Sequence, residues 1–408
     1  MNDEEDYDLP VEGEEKYNHP PTKRDDVKTP AALKPRTDWE GADQEVTSGI
    51  YDGPVSEENH DQLLIDSGYD PTKYDLLEPL KISTWDTQTA DGKETFWSYK
   101  FSVQRKTNVI EGLDQDFKEL IKEVKKHRPL SDSLPDGDET FLVLVADTQI
   151  GKADGDGLKG TLARIYKAID GVDQRIRDLR KIGSKLDELV VGCMGDLIEG
   201  CDQNYPSQTF TTEINRRRQT RLMRRILRDA IAKWSKQFNK VTVVAVPGNH
   251  GENRKNGKAF TTRGDNDDVS IPEQVADILA ANPEAYGHVE FILPEDELYV
   301  VRDCSGVRVG FSHGHVTSSG TSPQIKQKNW WSSQTFNNQA IGSAEILVTA
   351  HFHHFSVVEY STRKIHFQCP SLDGGSEWFE DLSGEQSRPG MLTVVVGGDK
   401  IYHDLEVI

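Results

Sequence analysis

Five short clusters along this chain carry residues that bind divalent cations, and each stands at the end of an apolar run. They are Asp147 with Gln149, Asp196, Asn249 with His250, His313 with His315 close behind, and His351 with His353. Carboxylate, imidazole and amide donors without a thiolate suit borderline-hard ions, with Mn²⁺ and Mg²⁺ ahead of a structural zinc. The donors suffice for two ions, and the carboxylate of Asp196, on a sharp Gly-Asp turn, is well suited to bridge them. Two such ions about 3.5–4 Å apart generate a hydroxide nucleophile and neutralise charge on a phosphoryl transition state. His250 adds a titratable imidazole next to the hard amide oxygen of Asn249.

Such residues must be held by regular elements. Phe141–Ala146, Leu189–Met194, Val241–Val246 and Ile346–Thr349 are apolar runs of strand length and read as buried strands. Tyr299–Val301 and Val307–Phe311 form a hairpin pattern around Cys304-Ser305-Gly306 that ends at His313. Helical spacing covers Leu158–Leu179 and Asn215–Phe238. Ser270 with Glu273 forms a capping box for a helix to Ala281, and a polar helix runs through Trp330 and Trp331. Residues 251–269 read as a long polar loop, and Ser356–Tyr360, Ile365–Gln368 and Leu392–Val396 as further strands. Strands alternate with helices early and dominate later. This predicts an α/β domain over 139–408 with two packed sheets and its ligands at strand ends.

The front of the chain differs. The net charge is −21, and residues 1–80 hold 22 Asp/Glu against 7 Lys/Arg, leaving −6 for the rest. The acidity is thus mainly local and does not exclude a nucleic-acid substrate. Residues 1–45, rich in charge and poor in apolar side chains, read as a disordered acidic tail. Residues 46–135 read as a small accessory module. It has a short helix at Asp61–Ser67, a hairpin of Lys81–Trp85 and Phe96–Gln104 about Ala90-Asp91-Gly92, and an amphipathic helix at Leu113–His127. The aromatics of that hairpin, interleaved with lysines, are more often a small core than a base-stacking surface. The four cysteines show no CxxC pair, which argues against a zinc ribbon and a disulfide scaffold and suits a reducing compartment. Without a signal pattern or an apolar run of about 18 residues, a cytoplasmic location without membrane contact is expected.

Taken together, DTQ at 147–149, GDLIEG at 195–200, GNHG at 248–251, SHGH at 312–315 and AHFHH at 350–354 resemble the five-motif signature of calcineurin-like metallophosphoesterases: DxH, GDxx, GNH[DE], H, GHxH. The resemblance covers about residues 139–370 and is specific as a set. It implies a two-sheet α/β/β/α sandwich with a dinuclear centre. One ion would take Asp147, Gln149, Asp196 and His353, and the other Asp196, Asn249, His313 and His351. Mn²⁺ is first choice, with Mg²⁺, Fe²⁺ or Zn²⁺ compatible. His250 would be the acid that protonates or stabilises the leaving oxygen. Three positions depart from the pattern: Gln149 stands where His is usual, Gly251 where Asp or Glu is usual, and Ala350 where Gly is usual. The pattern is most similar to SbcD-type DNA nucleases, especially phage-encoded ones, through DTQIGK, the Trp-Trp helix, AHFHH and Pro370–Ser376. That would place the protein in the host cytoplasm and leaves a partner ATPase or a homodimer open.

The helix 213–238 bears Arg216, Arg217, Arg218, Arg221, Arg224, Arg225, Arg228, Lys233 and Lys236 against two acids, and Arg254, Lys255, Lys258 and Arg263 follow His250. This density suits a phosphate backbone, with Arg217, Arg221, Arg224, Arg228, Arg254 and Lys258 the expected contacts to DNA. The same helix could instead pair with the acidic front. The leading expectation is DNA phosphodiester hydrolysis. The alternatives are a phosphatase or phosphodiesterase on small nucleotides or phosphoproteins, and a non-catalytic DNA-binding scaffold with a degraded metal site. His315, His354, Trp330, Trp331 and the Asp373-Gly374-Gly375 turn read as supporting or structural, and Glu199 equally as a support of Asp196 or a surface residue.

Overall fold

The computed structural model divides the chain into two compact units, Met1–Thr107 and Asn108–Ile408. It describes residues 22–24, 36–40, 43–71, 74–89, 92–105, 117–129, 134, 136–201, 204, 208–255, 257–375 and 388–408. In the first unit, β1 (Arg36–Glu40), β2 (Asp43–Thr47), α1 (His60–Asp66), β3 (Tyr74–Thr89) and β4 (Gly92–Arg105) form one sheet of order β1-β2-β4-β3 with a helix beside it. The alternation in β4 sends Tyr99, Phe101 and Val103 into a core with Val46, Tyr51, Leu63 and Leu64. The expected hairpin is present and longer than predicted, and its aromatics serve chiefly that core. Within the stretch read as an acidic tail, β1 and β2 are paired strands; ladder hydrogen bonds come from the backbone and need no apolar side chains. Apart from residues 22–24, the rest of that stretch lies outside the described residues.

The second unit begins with α2 (Phe117–Val124), whose Leu120 and Val124 join the large core; the sequence reading had placed this helix in the accessory module. There follow β5 (Glu139–Val145), α3 (Gly157–Lys181), β6 (Leu186–Cys193), α4 (Arg216–Trp234), β7 (Lys240–Ala245), β8 (Arg254–Lys255), β9 (Lys258–Ala259), α5 (Asp267–Ala280), α6 (Pro283–Tyr286) and β10 (Val289–Ile292). The chain then forms β11 (Tyr299–Cys304), β12 (Val307–Ser312), α7 (Pro323–Phe336), β13 (Ile346–Thr349), β14 (Ser356–Ser361), β15 (Lys364–Gln368), β16 (Leu392–Gly397) and β17 (Lys400–Val407). One sheet has the order β10-β7-β6-β5-β16-β17, parallel from β10 to β5, and another the order β11-β12-β13-β15-β14. No helix among the described residues is long and apolar enough to cross a membrane.

Period-two alternation divides the cores. Phe141, Val143 and Val145 of β5 pack among α3, α4 and α5, while Leu142 and Leu144 join Val309, Phe311, Ile346, Val348 and Phe367 of the five-stranded sheet. The two sheets therefore share an apolar core. Trp330 and Trp331 of α7 pack with Ile341 and Leu347 on the other face of the five-stranded sheet. Each fully buried Leu, Ile or Val adds roughly 1.5–3 kcal/mol, so these layers hold the strand ends rigidly.

Two expectations need revision here. The segment 251–269 is not simply loop, since it contains the β8–β9 hairpin and the start of α5. The cap of α5 is Asn266, whose side chain accepts from the Asp268 N–H; Ser270 lies inside the helix. Asn266 prevails because its amide nitrogen also donates to the Gly248 carbonyl at 2.8 Å, a long-range bond that local spacing does not reveal.

Candidate metal centre

The carboxyl ends of β5, β6, β7, β12 and β13 deliver Asp147, Asp196, Asn249, His313 and His351 in turn. The turns that carry them are strained. Asp147, Gln149, Asp196, His351 and His353 all have positive φ, between 38° and 69°. A non-glycine residue in this region costs on the order of 1–3 kcal/mol and persists only where its surroundings enforce it.

Backbone bonds join the turns. Asp147 N–H donates to Gly195 O at 3.2 Å and Gln149 N–H to Asp196 O at 3.0 Å. His250 N–H donates to Asp196 Oδ1 at 2.8 Å, and His351 N–H to Asp147 Oδ2 at 3.1 Å. Fully buried Asp268 accepts from Asp196 N at 3.0 Å, Leu197 N at 2.8 Å and Gly248 N at 2.9 Å, so one carboxylate ties two ligand turns together. Burial and the nearby Asp196 carboxylate push Asp268 up to about 7 against these donors.

Ligand atoms of Asp196, His313 and His351 lie within 4.8 Å of one another, and His313 Nε2 is 3.0 Å from Asp196 Oδ2. The Nδ1 of His313 is 2.8 Å from the Met194 carbonyl, which can only accept, so Nδ1 carries a proton and Nε2 is the nitrogen turned toward the cluster. Beside them the Oδ1 of Asn249 is buried and accepts no hydrogen bond. Burial opposes ionisation of Asp196, yet His313 and His250 outweigh it and hold the carboxyl well below the usual range. Burial, and then His313, pushes His351 down to about 3, keeping its imidazole neutral as a ligand must be. These residues fit a divalent ion: an anionic oxygen, an amide oxygen with no other use, and two imidazoles.

On the other side, His353 Nε2 is 3.4 Å from Asp147 Oδ1, an oxygen that accepts no hydrogen bond. The Nδ1 of His353 is 3.6 Å from Oδ1 of buried Asp373. Burial lowers the His353 pKa, but Asp147 and Asp373 more than reverse this and bring it to about 10. Gln149 does not turn its oxygen toward this group. Its Oε1 accepts from the Lys152 ammonium at 3.0 Å, and its Nε2 is 3.3 Å from His250 Nε2. Lys152 also forms an ion pair with Asp373.

His250 is held by Glu199, whose carbonyl oxygen is 2.8 Å from Nδ1 and whose carboxylate is 3.4 Å from it. Burial works against protonation of His250, but Asp196 and then Glu199 raise it to about 9. Glu199 is therefore a buried partner of His250. It fills the orienting role left vacant by Gly251, where a side chain has no room: a Cβ there would lie 2.2 Å from Asn266 Oδ1. Glu252 instead meets Arg254 at 2.8 Å and lies 3.8 Å from His315 Nε2.

All eight sequence-derived ligand and acid positions thus lie in one neighbourhood. Asp268, Asp373 and Lys152 were not singled out as participants. Asp268 resembles an ordinary first-turn acid of a helix, and Asp373 and Lys152 stand in motif stretches whose role only folding exposes. The basic contacts fare unevenly. Arg228 is 2 % exposed and paired with Glu123 at 2.7 Å and Asp229 at 2.8 Å; Arg224 is 7 % exposed, bonded to Gln274 at 2.8 Å and set over the Phe117 ring. Neither can reach a phosphate backbone, because α4 is packed on a face too wide to leave them outside. Arg217 and Lys258 are exposed, Arg221 is half-buried, and Arg254 is half-buried against Glu252.

No protein-family model matches the chain, and no curated protein does. Solved structures with some similarity include Vps29 of Entamoeba histolytica complexed with zinc, at TM-score 0.29 and 10% identity over 66% of this chain and 98% of that one. Vps29 of Chaetomium thermophilum gives 0.30 and 12% over 66% and 97%. A 5'-nucleotidase of Candida albicans SC5314 gives 0.30 and 10% over 67% and 50%.

Proposed function

We propose that this chain is a metal-dependent phosphoesterase that hydrolyses phosphodiester bonds in DNA, built on an α/β/β/α sandwich. The carrying observation is the buried cluster of Asp196, His313 and His351 with the unpartnered Asn249 oxygen beside it and His250 held by Glu199 at its edge. Asp196, Asn249, His313 and His351 would hold one divalent ion, Mn²⁺ by preference, which when bound supplies Lewis-acid charge and an activated water. The second expected set is incomplete, because the Gln149 oxygen is taken by Lys152.

The chain's own residues do the following. Asp196, after β6, and His313, after β12, would hold the ion from two sides of the shared core. His250, protonated below about 9 and held at Nδ1 by Glu199, presents Nε2 toward the cluster, 4.0 Å from Asp196 Oδ2, where it can give a proton to a departing oxygen. Exposed Arg217 and Lys258 remain available for phosphate contacts. The loss of Arg224 and Arg228 from the expected DNA surface favours, as a second reading, a phosphodiesterase acting on small nucleotides.

The test is hydrolysis of bis-p-nitrophenyl phosphate with Mn²⁺, alongside labelled linear DNA, mononucleotides and phosphopeptides. Activity abolished by Asp196→Ala and confined to DNA supports the proposal. Activity on nucleotides alone selects the second reading, and no activity with any metal removes both.

A further inference from the structure

Lys152 is 8 % exposed, and its ammonium lies between two acceptors in the floor of the centre: Gln149 Oε1 at 3.0 Å and the Asp373 carboxylate, with which it pairs. Its backbone is equally fixed. Lys152 N–H donates to Gln149 O at 3.0 Å, and Lys152 forms a bridge with Thr212. Gly151 turns the chain between them at φ +109°, where a Cβ would lie 2.6 Å from the Gln219 amide. The loop from Asp147 to Lys152 is thereby folded so that residues three apart converge side by side.

The Lys152 contact sets which way the Gln149 amide points. Its oxygen must face the ammonium, since the reverse orientation would set two amide N–H groups against a cation. That same oxygen is the atom a metal would need. Asp373 continues the chain of contacts, with Oδ1 3.6 Å from His353 Nδ1, and His353 reaches Asp147 Oδ1 at 3.4 Å. A second ion on the Gln149 oxygen would have to displace the buried Lys152 ammonium from it and sit against that positive charge, which is strongly unfavourable.

We propose that Lys152 is a built-in cation in place of a second metal, so that this centre binds one divalent ion. In this arrangement Gln149 is a ligand of the lysine and not of a metal. Asp373 pairs with Lys152 through one oxygen and holds His353 beside Asp147 through the other, 3.6 Å from His353 Nδ1. The inference rests on the phosphoesterase reading for the identity of the ion but concerns only how many ions the residues hold.

Metal counting tests it without an activity assay. The full-length chain, stripped of metal and equilibrated with Mn²⁺, is assayed by equilibrium dialysis with elemental analysis and by electron paramagnetic resonance. One tight Mn²⁺ per chain with an uncoupled six-line spectrum is expected. The double variant Gln149→His/Lys152→Ala should gain a second ion, bound at least tenfold more tightly than any second ion of the wild type, together with a spin-coupled signal. Should the double variant fold poorly, Lys152→Ala/Asp373→Asn, which leaves no buried charge unpaired, still frees the Gln149 oxygen and should show the same direction. Two tight, spin-coupled ions in the wild type would overturn the proposal and leave the phosphoesterase reading intact. No bound ion in the wild type would overturn that reading and this proposal with it.

Discussion

Gly248 offers the sharpest test of how the centre is assembled. The turn after β7 passes so close to the turn after β6 that a Cβ on Gly248 would lie 2.2 Å from Asp196 Oδ1 and 2.5 Å from Asp196 N. In Gly248→Ala the two turns cannot stay where they are. If they separate, two bonds to buried carboxylates are lost: His250 N–H to Asp196 Oδ1 at 2.8 Å and Gly248 N–H to Asp268 Oδ2 at 2.9 Å. Bonds to charged groups contribute about 1.5–3 kcal/mol each, so opening costs roughly 3–6 kcal/mol. If the turns stay closed, the overlap forces shifts costing about 1–3 kcal/mol for ordinary overpacking, and more against immobile backbone. The cheaper route therefore costs about 3 kcal/mol. Because Asp196 and Asn249 flank the contact, this cost should divide between stability and ion affinity. The assay pairs urea unfolding of the metal-free protein, at constant m-value, with Mn²⁺ titration by calorimetry. A combined loss near 3 kcal/mol, about 10²-fold if it falls wholly on affinity, is expected. An Ala variant within 1 kcal/mol of wild type and within threefold in Mn²⁺ affinity would refute the reasoning that the Gly248 approach closes the site.

Four further outcomes follow. His366 is wholly buried, with Nε2 2.8 Å from Thr349 Oγ1, and burial pushes it down to about 4. The folded pKa lies below the unfolded one near 6.5, so its contribution is intact above 6.5 and is lost as pH falls through 4, to a total of roughly 3 kcal/mol. Urea midpoints at pH 7 and 5 should therefore fall less in His366→Gln than in wild type; equal falls would exclude the linkage. Arg228→Ala should destabilise by about 1–3 kcal/mol through the lost packing and hydrogen bonds of a buried guanidinium, since Glu123 and Asp229 are each 37 % exposed and stay solvated, while Arg217→Glu should stay within about 0.5 kcal/mol yet weaken DNA binding and lower its salt slope, as read by thermal melting and fluorescence anisotropy. His250→Asn should lower kcat by about 10²–10⁴-fold on bis-p-nitrophenyl phosphate with Mn²⁺; an unchanged kcat would remove His250 from the acid role.

Much of the centre was legible along the chain because each ligand follows an apolar strand directly, and strand period and turn chemistry are local properties. Asp147, Asp196, Asn249, His313 and His351 could be placed at strand ends from residue order alone, as could the strands of the two sheets that carry them. The pairs β7–β10 and β16–β17 escaped notice because their outer members are half-polar edge strands, whose pairing depends on a neighbour supplied by the fold.

Sequence by itself therefore determined which atoms could meet a cation and on which elements they ride. Tertiary structure alone decided what surrounds them. It put Asp268 under two turns, Glu199 behind His250, and Asp373 against Lys152, and it turned Arg224 and Arg228 inward. A side chain's type and spacing fix its chemistry and its face of an element. Its partner, its burial and the direction of its dipole depend on residues distant in sequence that only packing brings within bonding distance.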